Sequence, residues 1–228
     1  MKAMILAAGR GERMRPLSDT TPKPLLPVGG KPLIVWQIER LAQAGIQDIV
    51  INHAHLGAQI EHTLGDGSAW GVRITYSPEI EALETAGGIR QALHLLGDAP
   101  FLVVSADIYC DCEYRQLLDE LQLADDALAC LWMIANPLWH PRGDFALRAG
   151  KLHLDGEPRL TYANFGLFRP QMFAEIPSGS KLPLRPLLDV AIPAGRIQGA
   201  PLDALWENLG TPAQLAELDA RLRSSLSL

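Results

Sequence analysis

Residues 4–32 read MILAAGRGERMRPLSDTTPKPLLPVGGKP. The apolar run Met4-Ile5-Leu6-Ala7-Ala8 has the composition of a buried strand. It leads without a spacer into Gly9-Arg10-Gly11, where missing Cβ atoms permit a tight turn and close approach of the backbone to a ligand. Arg13 and Arg15 follow, and Lys23 stands between Pro22 and Pro24, which stiffen its loop. A strand, a glycine turn and fixed cations together describe a polyphosphate site. Backbone N–H groups can wrap the phosphates while the cations neutralise charge that develops during phosphoryl transfer.

Outward from this stretch, helix and strand signals alternate. The pattern predicts a helix over Leu33–Ala44 ended by Gly45, a strand over Asp48–Asn52 and a helix over Leu56–Leu64. It continues with a strand over Val72–Tyr76, a helix over Ala86–Leu96 up to Gly97, and a buried strand over Phe101–Ser105 that ends at Asp107. Such a βαβα order implies a mostly parallel α/β sheet with helices on both faces, whose ligands lie beyond the carboxyl ends of the strands. The second half is more mixed. Strands are expected over Ala127–Ile134 and Thr161–Phe168, with a hairpin over Asp144–Leu154 turning at Ala149-Gly150. Helices are expected over Pro183–Ala191 and over Thr211–Arg223, the latter capped by Thr211 with Pro212 in its first position. Residues 1–223 are read as one domain and 224–228 as a frayed tail.

The chain has 228 residues and a net charge of −6, a balance that argues against non-specific nucleic-acid binding. Cations for an anionic ligand must therefore be gathered locally, as the N-terminal loop does. Met1-Lys2-Ala3-Met4 runs directly into the strand with no signal-peptide pattern, and no apolar run approaches the roughly 20 residues of a membrane span. Cys110, Cys112 and Cys130 form no even framework and no Cys-x-x-Cys pair, and are read as free thiols of a cytoplasmic protein. His53-Ala54-His55 has ligand-like spacing but no third ligand nearby, so it is read as a strand end rather than a zinc site.

Two common phosphate motifs do not fit residues 4–32. The dinucleotide fingerprint needs glycine where Met14 stands, and a Walker A loop needs Ser or Thr where Pro32 follows Gly30-Lys31. The pattern that remains, L-A-A-G-x-G-x-R-x-x-P-L followed by P-K-P, resembles the signature of the sugar-1-phosphate nucleotidyltransferases. The resemblance implies a Rossmann-like, glycosyltransferase-A-like fold without a C-terminal β-helix, and hence a monomer. It implies a reaction in which a sugar-1-phosphate oxygen attacks the α-phosphorus of a nucleoside triphosphate and pyrophosphate leaves. Leu6, Ala7, Ala8, Gly9, Gly11, Glu12 and Arg13 would then surround the nucleotide. Arg15 would act as a forked donor to the leaving β- and γ-phosphates, and Lys23 as a point charge on the α-phosphate or the incoming sugar phosphate.

The same resemblance assigns the metal and the sugar. Asp107, after FLVVSA, suits Mg²⁺, although the chain reads Ser105-Ala106-Asp107 where the family usually shows Gly-Asp or Ser-Asp. At the family's W-x-D-x-G-T the chain reads Trp206-Glu207-Asn208-Leu209-Gly210-Thr211, which makes Asn208 a second, weaker metal ligand. Leu83-Glu84-Thr85-Ala86-Gly87-Gly88 resembles the base- and sugar-contacting segment, placing Ala86 and Gly87 on the nucleotide and Gly88 on the sugar. Glu79 is expected near a pyrimidine base and Asn164 in the sugar pocket. Asn136-Pro137 through Gly143-Asp144-Phe145 resembles one single-domain branch, the N-acetylmuramate α-1-phosphate uridylyltransferases of peptidoglycan recycling. In that branch UTP is the nucleotide, Asp144 would bond sugar hydroxyls, and Arg142 would meet a carboxylate such as the lactyl group. A thymidylyl- or guanylyltransferase and a non-catalytic nucleotide-sugar sensor remain the alternatives.

Overall fold

A computed structural model describes residues 1–225. Nine strands form the main sheet: β1 (Lys2–Leu6), β2 (Asp48–His53), β3 (Arg73–Pro78), β4 (Phe101–Ser105), β5 (Ala129–Ile134), β6 (Phe145–Arg148), β7 (Lys151–His153), β8 (Arg159–Phe168) and β9 (Ile197–Pro201). Their spatial order is β3-β2-β1-β4-β8-β5-β9-β7-β6. Strands β1 to β4 are mutually parallel, β8 runs against them, and β5 and β9 run with them again. Only β7 and β8 point the other way, so the sheet is mostly parallel as the alternating pattern implies.

The two faces of β1 explain how the sheet is covered. Met4 packs with Val50, Ile89 and Val103 beneath the Glu84–Leu96 helix. Ile5, one residue on, packs with Ile34, Ile38, Ile51 and Val104 beneath the Leu33–Gln43 helix. Successive strand side chains point to opposite faces, so a continuous apolar run is what a strand covered on both sides needs. A third cluster joins Met14, Leu26 and Val28 to Leu215, Leu218 and Leu222 of the Pro212–Ser225 helix. Met14 is fully buried there. The residue that breaks the dinucleotide fingerprint thus anchors the glycine loop to the terminal helix.

The helix at the end reaches Ser225, so Ser224 and Ser225 belong to it rather than to a frayed tail. The rest of that expected tail, 226–228, lies outside the described residues. Strand β9 is absent from the sequence reading because Gly199 and Pro201 interrupt its apolar pattern. It pairs in parallel with β5 from Ile197–Ala129 to Pro201–Met133. A two-stranded ribbon, Ile108–Cys110 against Trp206–Asn208, closes the carboxyl end of the sheet.

Candidate active site

The register of β1 fixes the centre of the site. Leu6 pairs with Asn52 on one side and with Ser105 on the other, so three carboxyl-terminal strand ends lie abreast. Two chambers open above them and share Leu6, Thr85 and Ser105. One, of about 430 Å³, is lined by Leu6, Ala7, Ala8, Gly9, Arg10, Glu12 and Lys23 together with Asn52, Glu84, Asp107 and Lys181. The other, of about 350 Å³, is lined by Trp139, His140, Asp144, Tyr162, Asn164, Arg185, Trp206 and Asn208. Gly11, Arg13, Lys23, Asp107 and Gly210 form a rim beside the first chamber.

Local backbone chemistry shapes the glycine loop. Gly11 has φ +67°, a left-handed conformation that favours glycine, and a Cβ there would stand 3.0 Å from the Cβ of Lys23. Its carbonyl accepts hydrogen bonds from the Ser18 hydroxyl at 2.7 Å and from the Met14 N–H at 2.9 Å. The Ala7 N–H donates to Asn52 Oδ1 at 3.0 Å. Lys23 is itself buried and meets Asp107 Oδ2 at 2.6 Å. The pair faces both the first chamber and its rim, where a cation and a carboxylate can act on a polyphosphate.

Leu6, Ala7, Ala8, Gly9, Gly11, Glu12, Arg13, Lys23 and Asp107 are therefore brought together. Arg15 is not among the residues lining either chamber. It is half-exposed and pairs with Asp19 at 3.3 Å. The 3-10 turn Glu12–Met14 turns Arg13 toward Gly210 and directs the chain beyond it elsewhere.

Asn208 is placed by the ribbon. It pairs with Ile108, and the Leu209 N–H donates to the Asp107 carbonyl at 2.9 Å, so Asp107 and Asn208 sit at one ribbon end. Asn208 Oδ1 is buried and has no hydrogen-bond partner among the described residues. A buried amide oxygen left without a donor suits a cation. Among the described residues no three His, Cys, Asp or Glu side chains gather as a metal site, so a cation here would draw most of its ligands from substrate.

The Leu83–Gly88 segment works differently from expectation. Ala86, Gly87 and Gly88 are buried in the Glu84–Leu96 helix and do not line the chambers. The N–H groups of Ala86 and Gly87 both donate to the Leu182 carbonyl, at 2.9 and 3.0 Å. A Cβ on Gly87 would lie 2.1 Å from the Ser180 carbonyl oxygen. The glycines admit the protein's own backbone, and Glu84 and Thr85 face the ligand space instead.

Glu79 likewise turns inward. Its Oε1 accepts from Asn52 Nδ2 at 2.7 Å and its Oε2 from the Leu83 N–H at 2.8 Å. Glu79 thereby orients the amide whose oxygen holds Ala7. Burial pushes its carboxyl above the usual range, and the bond from Asn52 opposes that shift. Glu79→Gln would aim an amide donor at one of the two donors, and should lower unfolding stability by about 1–3 kcal/mol in a denaturant titration. A carboxyl raised by burial contributes stability while protonated and loses it as pH climbs from the ordinary carboxylate range through the raised value. That slope should be absent in Glu79→Gln.

In the second chamber Asn164 is aimed by a bulge. The β8–β5 register shifts between Tyr162 and Gly166, and Asn164 takes φ +54°, a left-handed conformation that asparagine tolerates. Asp144 lines this chamber, but its carboxylate is already engaged by His140 Nε2 at 3.2 Å and the Tyr162 N–H at 2.8 Å. Trp206 donates its indole N–H to the Ala163 carbonyl at 2.9 Å and stacks with Trp139, centroids 6.2 Å apart. Arg142 does not line this chamber. It lines an annex beyond His140 and Asp144. Asn52, Lys181 and Arg185 were not singled out from the sequence, because neither their type nor their local spacing marks them.

His53 bonds Glu61 at 2.7 Å and packs against Gly57, while the ring of His55 meets Arg10. The three cysteines are free. No helix among the described residues is long and apolar enough to cross a membrane.

The chain is similar to known proteins along most of its length. The sequence profile described as nucleotidyl transferase matches residues 2–137. An N-acetylmuramate alpha-1-phosphate uridylyltransferase of Neisseria meningitidis serogroup B is 51% identical over 225 residues, covering 96% of this chain and 97% of that one. A protein of the same name from Caulobacter vibrioides is 34% identical, covering 96% of each. A solved chain described as a glucose-1-phosphate thymidylyltransferase from Bacillus anthracis, 24% identical, superposes with a TM-score of 0.85 over 98% of this chain and 95% of its own. With the glycine loop, Lys23 and Asp107 gathered at the strand ends and relatives matched along nearly their whole length, the chain belongs to the nucleotidyl transferase family.

Proposed function

We propose that this protein is a Mg²⁺-dependent uridylyltransferase that converts UTP and N-acetylmuramate α-1-phosphate into UDP-N-acetylmuramate and pyrophosphate. The observation that carries the reading is the 51% identity to a uridylyltransferase of that name over 96% of this chain and 97% of that one. The two adjoining chambers, each within the size of small-molecule sites, support it by offering space for a nucleotide beside a sugar.

The glycine loop presents backbone N–H groups to the triphosphate, and Lys23 lies where the two phosphate-bearing substrates meet. Bringing two anions into contact is the principal obstacle, and a preorganised cation opposes it without moving at the moment of reaction. Arg13 at the rim is placed to receive negative charge on the departing pyrophosphate. Arg15 would reach it only by leaving Asp19. Asp107 and Asn208 would hold Mg²⁺, which supplies further neutralisation of phosphate charge when bound. Because an amide oxygen ligates more weakly than a carboxylate, Asn208→Asp should lower the Mg²⁺ concentration for half-maximal rate by roughly tenfold, read from a Mg²⁺ titration of pyrophosphate release.

Pyrophosphate release with UTP and Mg²⁺, across N-acetylmuramate, N-acetylglucosamine and glucose 1-phosphates, tests the reading. Preference for the muramate is expected and would accord with a role in peptidoglycan recycling. Preference for another sugar would overturn the substrate, and UTP binding with no release from any sugar would identify a sensor.

A further inference from the structure

N-acetylmuramate differs from N-acetylglucosamine by a lactyl ether that ends in a carboxylate, so a selective site needs a cation beside the sugar chamber. Arg142, expected in this role from the sequence, lines only the annex. Arg185 is the cation that lines both the sugar chamber and the annex. We infer that Arg185 is the carboxylate-recognising residue of the sugar site, with the annex receiving the lactyl arm; this rests on the substrate proposed above.

The surroundings of Arg185 hold it ready for that task. Its guanidinium carbon lies 4.9 Å above the ring of Phe145, a buried wall residue of the chamber. Its Nε donates to Asp189 Oδ1 at 2.6 Å, which fixes the plane of the fork. Among the described residues neither terminal nitrogen has a hydrogen-bond partner, and two N–H groups side by side match a carboxylate. Of the other charged groups lining the annex, Asp144, Glu157 and Arg159 are engaged by neighbours, and Arg142 lines the annex without reaching the sugar chamber. Asp144 is held by His140 and Tyr162, and Arg159 donates to the carbonyls of Leu154 and Asp144 at 2.6 and 2.5 Å. Asn136 closes the annex wall by bonding the carbonyls of Pro141 and Arg159. A lactyl carboxylate entering the annex therefore meets an oriented and unspent guanidinium. Stacking on Phe145 and pairing with Asp189 limit the rotamer entropy lost on binding.

The test is the ratio of kcat/KM for N-acetylmuramate 1-phosphate to that for N-acetylglucosamine 1-phosphate, in the wild type and in Arg185→Gln and Arg185→Lys. Loss of a charge-assisted fork at a half-exposed position should lower the ratio about tenfold in Arg185→Gln, through KM for the muramate. Arg185→Lys keeps the charge and should recover part of it. If Arg185→Gln fails to fold, Arg185→Lys carries the same test, with a fall of several-fold expected from loss of the fork. An unchanged ratio in a wild type that uses the muramate overturns the subsite and leaves the substrate standing. No turnover of the muramate by the wild type overturns the substrate and the subsite with it.

Discussion

Lys23→Ala should reduce kcat for pyrophosphate release about a thousandfold. Removing a single oxyanion donor costs roughly 10²–10³ in other enzymes, and Lys23 contributes a full charge. Its side chain is only 10% exposed, so its field is poorly screened by solvent, and its stem rests against Gly11. Of the nearby described cations, Arg13 lies at the rim and Arg15 pairs with Asp19 outside the chambers, so neither occupies its place. Lys23→Arg should rescue little, since a planar guanidinium cannot replace a compact ammonium at a buried point of contact with Asp107. Steady-state kinetics with calorimetric UTP binding checks the assignment. A kcat within tenfold of wild type would remove Lys23 from the chemistry, and lost UTP binding at preserved kcat would make it a ground-state contact.

Asp107→Ala is expected to lower kcat by about a hundredfold or more and to raise the Mg²⁺ requirement. Two effects combine. The Asp107 carboxylate disappears, leaving the weaker Asn208 amide, and Lys23 loses the partner that holds it at 2.6 Å. Because the pair is in direct contact, losses in the Lys23→Ala/Asp107→Ala double variant should fall well short of the sum of the single losses. A Mg²⁺ titration of each variant separates the two contributions. An unaltered Mg²⁺ requirement in Asp107→Ala would exclude this carboxylate as a metal ligand.

These variants rest on residues that local pattern makes legible. A strand feeding Gly9-Arg10-Gly11 and a lysine between prolines are short-range features, and the structure places them together because β1 ends there. The glycines of the Glu84–Leu96 helix show where such reasoning stops. Gly87 has the composition of a ligand-approach site, yet the group it admits is the Ser180 carbonyl, more than ninety residues away in the chain. Glu79 has partners that its local sequence does not announce. A carboxylate after a strand looks available until Asn52 and Leu83 occupy both its oxygens.

The sequence by itself determined the α/β class, the strand faces and the gathering of the glycine loop and Lys23 at the end of β1, since each depends on periodicities of a few residues and on glycine and proline geometry. Only the tertiary structure decided which charges line the chambers. Arg13 rather than Arg15 follows from the turn anchored by buried Met14. Asn208 meets Asp107 through a ribbon joining residues about a hundred positions apart. Arg185 borders the sugar chamber, and Arg142 does not, because the Arg185–Ala191 helix sets its guanidinium over Phe145. Charge orientation is set by contacts distant in sequence, and a guanidinium two residues or forty residues from its expected place has the same composition but a different field.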